Sequence, residues 1–274
     1  MINTFDIPYL SGLRIGGTDA RQFCQSQFTF DVKQLSEDHW QPGAWCDTKG
    51  RCLVIILARA DENHVELVCP RSQLAQLDRL KMYSIGHKVE FGRALHARGC
   101  FGEAPQLARV PGSQPRRLEL AEQLADEDPA SAERWRLADL VAPLPWLQPS
   151  TAGRHLPQFL GLEENQGLSY TKGCYPGQEV VARVHYLGKV KRHLLGFMIR
   201  VQDGVAHDQA LAPATRLVDT SMGEAGEVLD CVQGENGLIG LAVCPIAIEP
   251  GVTLLAQADS GHLPLEMALP KSLC

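Results

Sequence analysis

Branched apolar residues are concentrated in two neighbouring segments of the first half of the chain. Residues 52–60, CLVIILARA, form a nearly unbroken apolar run, which predicts a strand buried on both faces. Residues 64–70, HVELVCP, follow a short polar stretch and predict the hairpin partner of that strand. A further strand is predicted at residues 87–95, HKVEFGRAL. These segments together predict a sheet.

Helical spacing occurs in two segments beside these strands. A short helix is predicted after Thr18 or Asp19, either of which can cap it. One face of this helix carries Ala20, Phe23, Cys24 and Gln27. Ser72 is the predicted cap of a second helix, in which leucines recur at positions 74, 77 and 80. The mixture of helices and strands predicts an α+β fold.

Two segments farther along lack a buried apolar pattern. Residues 119–134 are rich in Asp and Glu and low in large apolar side chains, which favours a solvated helix or loop without chemistry of its own. Prolines at positions 143, 145, 149 and 157 are incompatible with a regular helix or a central strand. Residues 141–157 are therefore predicted to form a long ordered connection.

The last third of the chain contains mainly short β-type segments, in contrast to the mixed pattern before it. Beyond about residue 189, short β-type runs follow one another, separated by Gly, Asp and Pro, at residues 190–200, 214–220, 225–232, 237–245 and 252–258. This pattern predicts a small antiparallel β-barrel and a domain boundary near residue 190.

Composition limits the possible classes of protein. The chain has 274 residues, 45% of them hydrophobic, and a formal net charge of −6, which argues against nucleic-acid binding outside a local basic patch. Nine irregularly spaced cysteines indicate reduced thiols and a cytoplasmic location. No export signal and no membrane span are expected, because the longest strongly apolar run covers only residues 52–58.

The segment KGCYPGQE, residues 172–179, is the strongest candidate for a functional site. Gly173 and Gly177 flank Cys174 and allow a ligand or partner to approach the main chain. Helical spacing follows, so Cys174 is expected just before a helix N-terminus that favours a thiolate, and Lys172 and Arg183 act in the same direction. Such a cysteine can be a nucleophile, a redox-sensitive thiol or a cluster ligand. The alternative is a buried packing role, which we assign to the other eight cysteines.

Positive charge is concentrated in the segment 183–193, directly after this motif. A basic segment with Tyr175 and Tyr186 nearby can hold phosphates, a polyglutamate tail or a tRNA backbone. A solvated cationic strand edge explains the same residues equally well, so both interpretations stay open. Signatures of zinc, nucleotide-binding and serine-hydrolase sites are absent from the sequence, and no metal site is expected.

Several of these motifs together resemble one family. Residues 172–183, KGCYPGQEVVAR, followed by GKVKR at 188–192, resemble the signature of the YgfZ family of folate-binding proteins associated with tRNA modification. Residues 15–32, 45–53 and 156–170 resemble further family elements, among them a C-D-x-K-G-R turn. The family is related in fold to the glycine-cleavage T-protein, a tetrahydrofolate-dependent aminomethyltransferase.

This resemblance implies a three-part ring around a central folate channel, with a C-terminal antiparallel β-barrel. It implies a folate-binding α+β region of two interleaved subdomains at residues 1–189 and a barrel domain at residues 190–274. The expected ligand is tetrahydrofolate or a derivative, and Trp135 stands at the position of a folate-contacting tryptophan. Another aromatic residue is expected near the N-terminus, where this chain has Leu10 with Tyr9 beside it.

The resemblance also bears on the chemistry. T-protein relatives carry an acidic pair just after the glycine turn, whereas residues 50–55 read GRCLVI, so aminomethyl transfer is not expected. The expected function is a folate-binding accessory protein that supports assembly or repair of iron–sulphur clusters, and thereby tRNA modification. Iron–sulphur proteins or tRNA-modifying enzymes are the expected partners. Cys174 is expected to be the essential thiol of a motif that also includes Lys172, Gly173, Tyr175, Gly177, Gln178, Glu179 and Arg183.

Two other functions remain open from the sequence. One is a folate-dependent one-carbon transferase that acts on a thiol or a tRNA acceptor with Cys174 as the nucleophile or acceptor. The other is an RNA-binding module that uses the basic segment 183–193.

Overall fold

A seven-stranded antiparallel sheet forms the first part of the molecule. The structure is a computed structural model and describes residues 4–200, 211–234, 237–258 and 261–273. Its strands are β1 (Phe5–Gly16), β2 (Gln41–Cys46), β3 (Cys52–Ala60), β4 (Val65–Pro70), β5 (Glu90–Phe101), β6 (Ala108–Arg109) and β7 (Arg116–Ala121). They lie side by side in the order β2-β3-β4-β1-β5-β7-β6. The three strands predicted from the apolar pattern correspond to β3, β4 and β5.

The apolar run at residues 52–60 has no side that faces solvent. β3 lies between β2 and β4, and its side chains alternate between two hydrophobic clusters. Ile55 and Leu57 enter one cluster, whereas Val54 and Ile56 enter the other. Because successive side chains of a strand point to opposite faces, a strand buried on both sides needs an unbroken apolar sequence. The prediction for this segment is confirmed.

The first predicted helix is confirmed as α1 (Ala20–Gln27), whose buried residues are Ala20, Phe23, Cys24 and Gln27. Asp19 is its N-cap residue, but the carboxylate accepts a hydrogen bond from the Lys88 N–H at 2.8 Å and none from the helix. Asp19 therefore ties the start of α1 to the segment before β5.

The second helix is shorter than predicted. α2 spans only Leu74–Asp78, between two 3-10 turns at Arg71–Gln73 and Arg79–Tyr83. The prediction that Ser72 caps it is wrong, because the Ser72 hydroxyl donates to Gln148 Oε1 at 2.7 Å. Ser72 thus holds the long connection against the sheet.

The acidic segment is more regular than predicted. Its first residues complete β7, in which Leu118 and Leu120 are buried by pairing with β5. Asp128 then caps helix α3 (Pro129–Val141) by accepting a hydrogen bond from the Ser131 N–H at 3.0 Å. The strand was missed because neighbouring strands supply its apolar contacts. The proline-rich connection is confirmed, since residues 142–156 contain neither helix nor strand.

A closed barrel follows helix α4 (Gln178–Leu187). Its strands are β8 (Arg192–Arg200), β9 (Arg216–Val218), β10 (Glu224–Gly234), β11 (Gly237–Pro245), β12 (Thr253–Ala258) and β13 (Gly261–Ala268), joined in the order β10-β11-β8-β13-β12-β9. The predicted runs correspond to β8 through β12. β13 was missed because only Leu265 and Met267 in it are buried.

The barrel packs against the sheet through a shared core. Leu229 and Val243 of the barrel belong to the same hydrophobic cluster as Trp135 of α3. Arg136 of α3 forms an ion pair with Asp230 of β10 at 2.5 Å. The α+β class with a C-terminal barrel is thus confirmed, while the division at residue 190 stays a prediction. Across the described ranges, no helix combines the length and apolar character that crossing a membrane requires.

Candidate functional site

Two segments that are distant in sequence form one unit, which we call the thiol loop (residues 172–179) and the support turn (residues 47–51). Gly177 has a φ of 78°, and an added Cβ would lie 2.4 Å from Asp47 O and from Gly50 Cα. Gly50 has a φ of 75°, and a Cβ there would lie 3.1 Å from Gly177 O. Glycine is therefore required on both sides of this contact.

Asp47 organises the support turn. Its Oδ1 accepts hydrogen bonds from the Lys49 N–H at 2.8 Å and the Arg51 N–H at 2.9 Å. The sequence pattern singled out the turn but assigned no role to this residue. An aspartate that begins a tight turn and accepts bonds from the following amides is the signal that identifies it.

Cys174 is exposed, whereas the other seven cysteines in the described ranges are buried. It lies just before α4, as predicted, and Gly177 is the N-cap residue of that helix. The buried thiols serve packing, and burial raises the pKa of Cys69 to about 12, which suppresses its reactivity. Cys274 lies outside the described residues. Within those residues no group of three or more His, Cys, Asp or Glu side chains is arranged to hold a metal ion.

Lys172 anchors the thiol loop, which differs from the predicted role beside the thiol. Its Nζ donates hydrogen bonds to Phe28 O at 2.5 Å and Phe30 O at 2.9 Å and lies 5.1 Å from the centroid of the Tyr175 ring. Burial lowers the pKa of Lys172 to about 8, and the Asp31 carboxylate opposes that shift. The amine thus joins the loop to the segment after α1.

The other motif residues divide between buried and exposed positions. Tyr175 is buried, and burial raises the pKa of its hydroxyl. Gln178 begins α4, and its N–H donates to Tyr175 O at 3.1 Å. Glu179 and Arg183 are exposed. Cys174, Glu179 and Arg183 are therefore accessible to a partner, whereas the Tyr175 side chain is not.

Aromatic side chains cluster along α4. The rings of Tyr170 and His185 stack with their centroids 3.9 Å apart, and Tyr186 meets His185 edge-on at 4.7 Å. His185 Nδ1 lies 2.6 Å from Glu163 Oε1. Tyr186 remains exposed and keeps a free aromatic surface. The sequence pattern identified Tyr186 but missed Tyr170 and Glu163, which come from a separate loop.

The basic segment is partly neutralised. Arg192 forms an ion pair with Glu224 at 2.9 Å, and His193 Nε2 lies 2.9 Å from Ile248 O. Arg183, Lys189 and Lys191 are exposed. This arrangement is compatible with an anion-binding surface and with a solvated strand edge, so both interpretations stay open.

Two adjoining cavities, which we call the channel, lie among the sheet, α3 and the barrel, and Arg71 lines both. The larger has a volume of about 610 Å³, and the smaller about 380 Å³. The walls of the larger include Tyr9, Arg136, Trp146, Gln148 and Asp230, and those of the smaller include Leu10, His96 and Glu127. The structure thus places Tyr9 and Leu10 on the walls of neighbouring cavities.

Trp135 lies in the core and is not among the residues that line the channel cavities. The Arg116 guanidinium lies 4.8 Å above its ring, and a Cβ at Gly99 would approach the ring to 2.6 Å. The expected flat face for stacking is therefore occupied by protein atoms. The assignment of Trp135 as a folate contact has to be corrected to a packing role in this conformation.

Asp139 organises the wall behind the larger cavity, and the sequence reasoning missed it. Its carboxylate accepts hydrogen bonds from Arg116 Nη1 at 2.6 Å, from the Tyr9 hydroxyl at 2.7 Å and from Trp146 Nε1 at 2.8 Å. Burial and Asp139 raise the pKa of Tyr9, so the hydroxyl stays protonated. Asp139 follows Trp135 by one helical turn, but its partners come from distant elements, so no local pattern reveals it.

Comparisons with known proteins agree with this architecture. No family model matches the chain. A tRNA-modifying protein YgfZ from Vibrio atlanticus is 29% identical over 96% of this chain and 90% of its own length. An uncharacterized protein from Haemophilus influenzae is 34% identical over 69% of this chain and 71% of its own. The crystal structure of the glycine cleavage system aminomethyltransferase T from Bartonella henselae superposes with a TM-score of 0.71 at 15% identity, covering 99% of this chain and 86% of that one.

The sheet, the channel and the closed barrel thus define a protein with the T-protein fold. Sequence similarity over nearly the full chain narrows this class further. The chain belongs to the YgfZ family.

Proposed function

We propose that this protein is a folate-binding accessory protein of tRNA modification, which supports assembly or repair of iron–sulphur clusters through Cys174. The observation that carries the proposal is the exposure of Cys174 on a loop that is held in place on both sides. Gly177 packs on the support turn, and Lys172 binds two main-chain carbonyls. A thiol presented in this way meets a partner in a defined position. The name of the Vibrio relative, a tRNA-modifying protein, supports a role in tRNA modification.

The walls of the channel suit a reduced folate, which supplies one-carbon units when bound. A pterin ring is flat and has N–H donors, for which the larger cavity offers the Asp230 carboxylate, and the aromatic side chains of Tyr9 and Trp146 line the same cavity. Burial raises the pKa of Asp230, and Arg136 opposes that shift. Arg71, which lines both cavities, can pair with a glutamate carboxylate of the folate tail. The residues present therefore fit the ligand.

An accessory role is favoured over catalysis of one-carbon transfer. Val54 and Ile55 are fully buried in the sheet, so the stretch after the glycine turn brings no carboxylate to the channel. Iminium chemistry needs such a group to accept a proton or to stabilise positive charge. The proposed role of the exposed thiol does not require a carboxylate in the channel, because Cys174 lies at the surface.

Complementation of a bacterial strain that lacks the protein tests the role of the thiol. Cys174→Ala is expected to abolish complementation, scored as activity of an iron–sulphur enzyme that thiolates tRNA. The same variant is expected to bind reduced folate as the wild type does, measured by quenching of tryptophan fluorescence. Thr171→Ala, at an exposed position beside the loop, is the matched control. Full complementation by Cys174→Ala would refute the proposal.

A second assay separates the accessory protein from a one-carbon transferase. The protein is incubated with methylene- or formyl-tetrahydrofolate and either a thiol or tRNA as acceptor. We expect no turnover above background. Turnover that Cys174→Ala abolishes would establish the transferase instead, and failure of every reduced folate to bind would remove the ligand from the proposal.

A further inference from the structure

A third cavity, of about 580 Å³, opens between the support turn and the barrel. Its charged lining comprises Arg51, Arg154, Arg192, Arg216, Glu224 and Glu227, with His155 beside them. Four positive charges minus two negative charges leave an excess of +2, in a chain whose formal net charge is −6. A concave surface whose charge opposes that of the whole protein concentrates anions locally.

Both glutamates already have partners within the cavity. Glu227 pairs with Arg154 at 2.7 Å and lies 2.6 Å from His155 Nε2, and Glu224 pairs with Arg192 at 2.9 Å. Burial raises the pKa of Glu227, but His155 and Arg154 outweigh it and hold that pKa below its ordinary value. The carboxylates therefore stay ionised and fix these basic side chains in position.

Arg51 and Arg216 are different, since neither has a carboxylate within ion-pair distance among the residues that the structure describes. The Arg51 side chain reaches only the Gly153 carbonyl, at 3.5 Å, within the same described ranges. Both residues are exposed. Two unpaired guanidinium groups in one cavity can each bind an oxyanion through two parallel N–H donors.

We propose that this cavity binds the phosphate group of a nucleotide, with Arg51 and Arg216 as its ligands. Phe159 also lines the cavity and is partly exposed, so it offers an apolar surface to a sugar or base. Arg51 directly follows Gly50, which packs on Gly177 of the thiol loop, so the bound nucleotide lies beside the support of Cys174. A free mononucleotide and an RNA backbone share this chemistry. The choice of RNA as the source of the phosphate rests on the proposed role in tRNA modification. The proposal that the cavity binds a phosphate does not depend on that role.

Binding of fluorescently labelled tRNA and of AMP tests the site. Arg51→Gln and Arg216→Gln are each expected to weaken binding about tenfold, because each removes a charge-assisted pair. The double variant should also lower the dependence of log K on log salt concentration by about 1 to 2. Arg51→Lys keeps the positive charge but loses the two parallel N–H donors, so it should weaken binding less than Arg51→Gln does. Arg79→Gln, an exposed arginine outside the cavity, should bind as the wild type does.

The possible outcomes are distinct. Competition by AMP identifies a free nucleotide as a sufficient ligand, and binding of tRNA without competition identifies the RNA backbone. Unchanged affinity of the double variant, or no binding of either probe to the wild type, would overturn the proposal. The proposal would also be overturned if the double variant of Arg51 and Arg216 lost only the binding of folate polyglutamate, because the cavity would then bind the folate tail. Cys174→Ala should leave nucleotide binding intact. Complementation therefore tests the proposed role of the thiol, and nucleotide binding tests the cavity independently of it.

Discussion

The two glycines that flank Cys174 are expected to respond very differently to the same substitution. Gly177→Ala places a Cβ at 2.4 Å from backbone atoms of the support turn and keeps a φ of 78°. The left-handed conformation costs about 1–2 kcal/mol with a side chain. The clash adds about 1–3 kcal/mol, because main-chain atoms cannot rotate away. The total loss in the free energy of unfolding is therefore about 2–5 kcal/mol.

Gly173→Ala is the matched control within the same loop. A Cβ at Gly173 meets no heavy atom within 4 Å among the described residues, and no left-handed φ is needed there. The free energy of unfolding should therefore change by no more than about 0.5 kcal/mol.

Urea denaturation of the two variants measures both values, with equal slopes as evidence that the unfolded states are comparable. The rate of Cys174 modification by a thiol reagent reports the loop itself. Gly177→Ala should change that rate, because the loop must leave the support turn to accommodate the Cβ. A cost below about 1 kcal/mol for Gly177→Ala, or an equal cost for Gly173→Ala, would refute the proposed packing of the loop.

Three further predictions concern the thiol, its anchor and the channel wall. In native protein a thiol reagent should modify Cys174 fastest, since the other seven described cysteines are buried, and Cys174→Ser should remove the fast phase. Lys172 has its pKa lowered to about 8 in the folded state, so the unfolded chain binds more protons above that pH. Relative to Lys172→Met, the wild type should gain roughly 3 kcal/mol of unfolding free energy between pH 8 and about 10.5. Asp139→Asn should cost about 3–5 kcal/mol, because it breaks a buried ion pair with Arg116.

Each of these predictions has its own control. An unchanged fast phase in Cys174→Ser would show that another thiol is accessible. Lys189→Met, at an exposed lysine, should follow the pH profile of the wild type, and an identical profile for Lys172→Met would contradict the buried amine. Glu103→Gln removes an exposed partner of Arg117 and should cost less than about 1 kcal/mol. A similar cost for Asp139→Asn would contradict its role in the channel wall.

Local sequence determined the elements whose pattern is complete within a few residues. The apolar run of β3, the buried face of α1 and the helix after Gly177 were all predictable, because each depends on spacing along one segment. The barrel was predictable for the same reason, apart from β13, which has only two buried side chains. The difference between Cys174 and the buried cysteines was also predictable, because two glycines flank Cys174 in the sequence.

Only the tertiary structure decided how these segments meet. The sequence pattern favoured Lys172 as a neighbour of the thiol, whereas the fold directs its amine to the carbonyls of Phe28 and Phe30. Trp135 was expected in a ligand site, yet it is enclosed by Arg116 and Gly99. In each case the partner lies far away in sequence, so spacing along the chain carries no information about the contact. A motif specifies which groups a site contains, while packing among distant elements sets which of them face a ligand.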